Sequence, residues 1–239
     1  MSVWAVLAAA GRGERLGLER PKAFASLGGR PLLAESLERL ETSEWIEGIV
    51  VVAPAEWEEP AILLAEELGC GKVAASVTGG ATRAESVRTG MAEVPEEAEI
   101  VLVHDAARPL LEKEVIERVL APFSEGWDGV VPGLPLADTV KRVRGDQVAE
   151  TLPRAELVAV QTPQAFVASV LRQALAGDVT EVSDCATLVE AHGGRVRVVP
   201  GDRRLLKVTD ADDLALVESW LNAGEPLLPP RAPASDERL

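Results

Sequence analysis

"VWAVLAAAGRGERLGLERPKAF" (residues 3–24) decides how the chain is read. An unbroken apolar run, residues 3–10, passes into a loop with three glycines, Gly11, Gly13 and Gly17. This is the pattern of a first strand feeding a ligand loop, and two ligand classes use such loops. A dinucleotide site needs G-x-G-x-x-G and, about 20 residues on, an acid at the end of the second strand. Here the third glycine comes one position late, and the second strand candidate ends "VVVAP" with no acid before Glu56. The dinucleotide fingerprint fails at both points, which argues against a nicotinamide-dependent oxidoreductase. The same loop carries Arg12, Arg15, Arg20 and Lys22 within eleven residues. Pro21 keeps the residue before it out of the α region, so no helix runs straight through. Glycines let backbone N–H groups approach phosphate oxygens while the cations neutralise their charge. The spacing favours a phosphate loop over a solvated basic loop.

Outward from this stretch, apolar β-rich runs alternate with helical patterns. Strands are expected at 3–9, 48–53, 72–77, 99–105, 129–134, 156–161 and 195–200. Between them "PLLAESLERLE" (31–41), "AILLAEELG" (61–69), "TRAESVRTGMAEV" (82–94), "EKEVIERVLAPF" (112–123) and "FVASVLRQALAG" (166–177) repeat apolar residues every three to four positions, as amphipathic helices do. Continuous Val/Ile/Leu strands between helices predict an α/β fold, a Rossmann-like, mostly parallel sheet with helices on both faces. Ligands of such sheets bind beyond the C-terminal strand ends. "ADTVKRVRGDQVAETLPR" (137–154) instead alternates at period two around "RGDQ" and predicts a β-hairpin arm that projects from the domain and mediates dimerisation. Residues 1–223 are expected to form a single domain with no fused second one, and the Pro-rich, polar 224–239 a disordered tail.

Composition bounds the partners. Hydrophobic residues make up 47% of the 239 and aromatics only 3%, so the core must be aliphatic. The net charge of −15 repels nucleic-acid backbones and anionic lipid, so neither nucleic acid nor membrane is an expected partner. An anionic ligand must therefore meet a local cationic cluster. No segment approaches the ~20 apolar residues of a membrane span, and no basic region followed by a long apolar one marks a signal peptide. Cys70 and Cys185 form no CxxC pair, and two histidines argue against zinc. A cytoplasmic protein is expected.

Six motifs, in order, carry a resemblance: "LAAAGRGERLGLERPKAF" (7–24), "GGATRAESVRTG" (79–90), "VHDAARP" (103–109), "DTVKR" (138–142), "QTPQAF" (161–166) and "LKVTDADDL" (206–214). The glycine loop alone resembles nucleotidyltransferases that join CTP to a sugar or polyol phosphate. The whole set resembles the methylerythritol phosphate cytidylyltransferases of the non-mevalonate isoprenoid pathway, over residues 3 to about 221.

The resemblance implies a reaction of CTP with a polyol phosphate, by in-line attack of a phosphate oxygen on the α-phosphorus and loss of pyrophosphate. Such catalysis is mainly positioning and electrostatic stabilisation. Arg15, Lys22 and Lys207 match the family's catalytic cations. Ala9, Ala10, Gly11 and Gly13 would hold CTP through the loop. Gly79, Gly80 and Ser86 would read the cytosine, although relatives often carry an acid where Ala81 stands. Asp105 is expected at a strand's C-terminal end, holding either Mg2+ or an acceptor hydroxyl; one carboxylate plus phosphate oxygens suits Mg2+. Arg108, Thr139, Arg154, Thr162 and Ser183 would hold the acceptor, with Arg154 and Thr162 reaching into a neighbouring subunit of a homodimer. His104 reads as structural and Cys185 as a small buried hydrophobe. Thr209 reads as the N-cap of the last helix with Asp212 at N3, so the acids there serve the helix rather than a metal. Ribitol 5-phosphate is a second possible acceptor, since related enzymes share the loop, the aspartate motif and the lysine. A non-catalytic binding module would not need three cations at one phosphate.

Overall fold

A computed structural model describes residues 1–17, 20–179, 182 and 184–223. Ser183 and the expected tail, 224–239, lie outside the described residues. The chain runs β1 (Val3–Ala8), β2 (Ser26–Leu27), β3 (Arg30–Pro31), α1 (Leu32–Glu41), β4 (Ile46–Ala53), α2 (Glu58–Glu67), β5 (Val73–Thr78), α3 (Arg83–Ala92), β6 (Ile100–Asp105), α4 (Lys113–Leu120) and β7 (Gly129–Pro135). It continues through β8 (Val140–Arg144), β9 (Gln147–Leu152), β10 (Val158–Val160), β11 (Gln164–Val167), α5 (Ala168–Leu175), α6 (Cys185–Ala191), β12 (Val196–Pro200) and α7 (Ala211–Ala223).

Among the described residues, eight strands form one sheet in the order β10-β7-β11-β6-β1-β4-β5, with β12 paired to β7. Pairings β6-β1, β1-β4, β4-β5 and β7-β12 are parallel. Only β10 and β11 run against the rest. Period-two alternation splits the sheet's residues between two cores. Leu7, Val51 and Leu102 face one core, with Leu33, Leu37, Ala61, Val115 and Val119 of α1, α2 and α4. Val6, Val52 and Val103 face the other, with Val87, Leu171 and Leu188 of α3, α5 and α6. Each fully buried Val or Leu among these contributes about 1.5–3 kcal/mol. A third cluster seats α7, through Val217, on Leu27, Leu32, Leu110 and Val208. That seating brings the segment before α7 to the C-terminal edge of β1 and β6. No described helix is long and apolar enough to cross a membrane.

The expected strands are all present, but the sheet holds one more. "QAFV" (164–167), read in part as the start of a helix, is β11, inserted between β6 and β7. The 137–154 hairpin is also present: β8 and β9 form a sheet of their own, turning at Gly145 and Asp146. Its Val143 and Val148 are 58% and 60% exposed and belong to none of the cores of the described residues. The cap of α7 differs from expectation. The Thr209 hydroxyl is turned back toward the Lys207 carbonyl, to which it donates at 2.9 Å, and Asp210 in place of Thr209 receives the N–H of Asp213. Asp213 in turn accepts from the Thr209 N–H, one residue beyond the predicted Asp212.

Candidate active site

The crossover changes direction at β1. From β1 the chain moves through β4 to β5 on one side, then passes through α3 to β6 on the other. A crevice opens at such a switch, outside the carboxyl ends of the strands. Ala8 and Asp105, the last residues of β1 and β6, sit side by side in register there. A hollow of about 780 Å3 lies over them, within the usual range for small-ligand sites.

The glycine loop makes one wall. Its return leg pairs with its start, Lys22 N–H donating to the Gly11 carbonyl at 3.3 Å. Lys22 opens a short 3-10 turn ending at Phe24, whose ring packs 4.4 Å from that of Trp57. This anchored turn holds Lys22 half-buried, its ammonium donating to the Val208 carbonyl at 3.1 Å. Burial, reinforced by Lys207 and Arg15, lowers the Lys22 pKa to about 8.

The turn before α3 makes the facing wall. Thr82 caps α3, its hydroxyl accepting from Glu85 N–H while the Glu85 carboxylate accepts from Thr82 N–H. The Ser86 hydroxyl accepts from Gly80 N–H at 3.1 Å and donates to the Thr82 carbonyl at 2.9 Å. Gly79 lies tight behind: a Cβ there would stand 2.3 Å from the Ala10 Cβ.

Asp105 is the floor, its side chain 8% exposed. Arg83 Nε donates to Oδ1 at 2.9 Å and Lys207 Nζ to Oδ2 at 2.7 Å. Burial alone would raise its pKa; Arg83 and Lys207 outweigh it and hold the carboxyl well below the usual range. Its backbone is braced as well. Asp105 N–H donates to Thr162 Oγ1, which lies 3.1 Å from His104 Nδ1, and His104 Nε2 lies 3.1 Å from the Arg108 carbonyl. A carbonyl only accepts, so Nε2 carries the proton, and Nδ1 accepts from the Thr162 hydroxyl. Burial lowers the His104 pKa to about 4, in keeping with a neutral ring.

Arg15, Lys22 and Lys207 therefore share one hollow, together with Ala9, Ala10, Gly11, Gly13, Gly80, Ser86 and Asp105. Other expected residues stand elsewhere. Arg108 turns away, its guanidinium donating to the Leu205 carbonyl at 2.5 Å. Thr162 is 3% exposed, its hydroxyl taken up by its own chain's β6. Thr139 and Arg154 are exposed at the base of the arm, Arg154 donating to the Ala137 carbonyl. Among the described residues no three metal-ligating side chains cluster. A cation caged by protein alone is not built here, whereas one carried in by a polyphosphate and adding the Asp105 carboxylate fits the donors present.

A family profile described as IspD, 2-C-methyl-D-erythritol 4-phosphate cytidylyltransferase, matches residues 3–223. The chain belongs to the 2-C-methyl-D-erythritol 4-phosphate cytidylyltransferase family. The cytidylyltransferase of Nocardia farcinica is 45% identical over 222 residues, covering 92% of this chain and 94% of that one. A bifunctional IspD/IspF enzyme of Solidesulfovibrio magneticus is 44% identical over 238 residues; the match covers 96% of this chain but 59% of that enzyme. A crystal structure of the cytidylyltransferase from Thermus thermophilus superposes with a TM-score of 0.74 at 32% identity, covering 93% of this chain and all of that one.

Within this cytidylyltransferase fold, one cation lining the hollow escaped sequence reasoning: Arg83, which read only as the start of a helix. A signal was available. A cation in the first helical turn opposes the helix dipole, which favours anions there. A cation so placed needs another reason, and Asp105 supplies it.

Proposed function

We infer that the chain transfers CMP from CTP to 2-C-methyl-D-erythritol 4-phosphate, giving 4-diphosphocytidyl-2-C-methyl-D-erythritol and pyrophosphate. The observation that carries this is the convergence of Arg15, Lys22 and Lys207 on one hollow at the β1–β6 switch, in a chain of this family. An acceptor phosphate oxygen forms a bond to the α-phosphorus as the bond to the bridging oxygen of pyrophosphate breaks opposite it. That oxygen is already ionised near neutral pH, so no general base is needed. Arg15 and Lys22 are assigned to the triphosphate and the departing pyrophosphate, and Lys207 to the α-phosphate. These charges act in a partly desolvated site, where they are worth more than in water. The loop backbone from Ala9 to Gly13 holds the phosphates. Gly79, Gly80 and Ser86 form the turn against which the cytosine edge lies.

Asp105 is assigned as the protein ligand of a divalent cation such as Mg2+, which when bound neutralises phosphate charge. The positions of Arg108 and Thr162 support a revised role for both, bracing Asp105 and its neighbours instead of touching the acceptor. Thr139 and Arg154 are assigned to the acceptor site of a second subunit, in a homodimer joined through the arm. The exposed Val143 and Val148 support this. Residues 1–223 are read as one nucleotidyltransferase domain, and the two free buried thiols support a cytoplasmic location. Ribitol 5-phosphate is not favoured as acceptor. Pyrophosphate release, followed with each nucleoside triphosphate across a panel of polyol phosphates, tests the reading. CTP with methylerythritol phosphate should be the productive pair, and turnover confined to ribitol 5-phosphate would overturn it.

A further inference from the structure

Asp105 is held by two cations of different character. Lys207 has a side chain 42% exposed, on a flexible stem, and faces the hollow. Arg83 is wedged. Its Nε holds Asp105 Oδ1, its Nη1 lies 3.7 Å from Cys185 Sγ, and its Nη2 is buried with no hydrogen-bond partner among the described residues. The Cys185 thiol, pushed up to about 11 by burial, stays neutral and does not compete with the carboxylate for Arg83. One ammonium cannot serve Asp105 and an α-phosphate equally well. When Lys207 turns to the phosphate, a carboxylate only 8% exposed loses half of its compensation. The guanidinium, always charged and rigid, is the group able to hold it alone.

We propose that Arg83 is a positioning residue, the fixed counter-ion that keeps Asp105 in place and so frees Lys207 to exchange from that carboxylate to the bound nucleotide. This rests on the reading in which Lys207 serves the α-phosphate. Without Arg83, Lys207 becomes the sole protein counter-ion of Asp105 and is held to it when the nucleotide arrives.

A double-mutant cycle with a non-kinetic arm tests this. Arg83→Met should lower kcat about 10- to 100-fold, the usual span for partners that act through another group, with a smaller change in KM for CTP. Arg83→Lys should restore part of the loss. The Arg83→Met/Lys207→Ala double variant should lose less than the product of the two single losses, because Lys207 is already withheld, the remainder being the cost of an Asp105 left with no protein counter-ion. In nucleotide-free, metal-free protein, Arg83→Met should lower the melting temperature, and the drop should shrink in an Asp105→Asn background. The melting arm needs no turnover, so an inactive wild type would sink the functional reading while leaving the ion pair tested. Kinetic losses that multiply across the cycle would overturn the proposal, as would a melting drop unchanged by Asp105→Asn. A loss residing wholly in KM for CTP would place Arg83 on the nucleotide itself and also overturn it. Should Arg83→Met fail to fold, Arg83→Lys is carried through the same cycle, with the same pattern expected at smaller size.

Discussion

Gly13→Ala and Gly17→Ala form a matched pair that isolates the positioning of Lys22. Both glycines have left-handed backbones, with φ of 70° and 63°. An alanine at either costs about 1–2 kcal/mol of backbone strain, which lowers the melting temperature by about 2–8 °C in a domain of this size. Their surroundings differ. Among the described residues a Cβ on Gly17 meets nothing within 4 Å, whereas one on Gly13 would lie 2.7 Å from Lys22 Cβ, 3.2 Å from its Cα and 3.3 Å from its N. Ordinary contact begins at 3.4 Å, so Lys22 must retreat by 0.7 Å. Two of the three clashing atoms are backbone, so a rotamer change cannot relieve them and the anchored turn itself must move. A misplacement of about 1 Å costs about 100-fold in rate, so 0.7 Å is worth about 25-fold. The assay is pyrophosphate release at saturating CTP, acceptor and Mg2+, beside thermal melting of both variants. A melting temperature lower for Gly13→Ala than for Gly17→Ala, with kcat lost only in Gly13→Ala, is the expected result. Equal kcat losses, or a folded Gly13→Ala within twofold of wild type, would refute the reasoning.

The pKa of Lys22 near 8 sets a pH limit: kcat/KM for CTP should fall as pH rises past 8, because the free enzyme loses that proton, while kcat holds to higher pH because bound phosphate restores it. A kcat/KM still flat a full unit above 8 would contradict this. Asp105→Asn leaves the mostly buried Arg83 without its anion and should cost about 3 kcal/mol at neutral pH. The Asp105 pKa is depressed in the fold, so its contribution is complete above the ordinary carboxylate range and is lost as pH falls below it; the melting gap between wild type and variant should close on acidification. Co-expressed Arg154→Ala and Lys22→Ala subunits should recover about a quarter of wild-type activity if each site takes its arm from the partner, since half the dimers then hold one intact site. No recovery would argue against the shared site.

The first strand and its loop were legible because their signals are local: an apolar run, three glycines and four cations in one short stretch. Arg15 and Lys22 could be named from that stretch, and Lys207 from its motif. What stayed hidden depends on distant pairing. Residues 164–167 are too few to show period two, and Phe166 with Val167 fits the helical pattern that follows; only β6 and β7 on either side make them a strand. The α7 cap shifted because a backbone carbonyl two residues upstream draws the capping hydroxyl away: Thr209 turns back to the Lys207 carbonyl, and no rule about capping pairs anticipates that choice. Arg108 and Thr162 were assigned outward to a ligand because the family resemblance of their motifs implies an acceptor site there. Their partners are in fact inward: the Leu205 carbonyl 97 residues on, and the Asp105 N–H 57 residues back.

That inward arrangement explains why "HDAARP" and "TPQ" belong together in one chain. His104, fully buried beside the floor of the site, resembles a general base, yet its hydrogen bonds forbid the role. Nδ1 is filled by the Thr162 hydroxyl, Nε2–H is spent on the Arg108 carbonyl, and burial holds the ring neutral. The chain Asp105 N–H, Thr162 hydroxyl, His104 ring and Arg108 carbonyl has each donor matched to one acceptor, so removing the hydroxyl orphans groups at both of its ends. Thr162→Val keeps the shape but leaves a buried Asp105 N–H and a buried His104 nitrogen unsatisfied, each costing about 1–3 kcal/mol. Thr162→Ser keeps the hydroxyl and should lose far less. Thermal melting separates the two variants, and amide hydrogen exchange at Asp105 locates the defect. A Thr162→Val protein as stable as Thr162→Ser, with the Asp105 amide equally protected, would show that the relay does not brace the site.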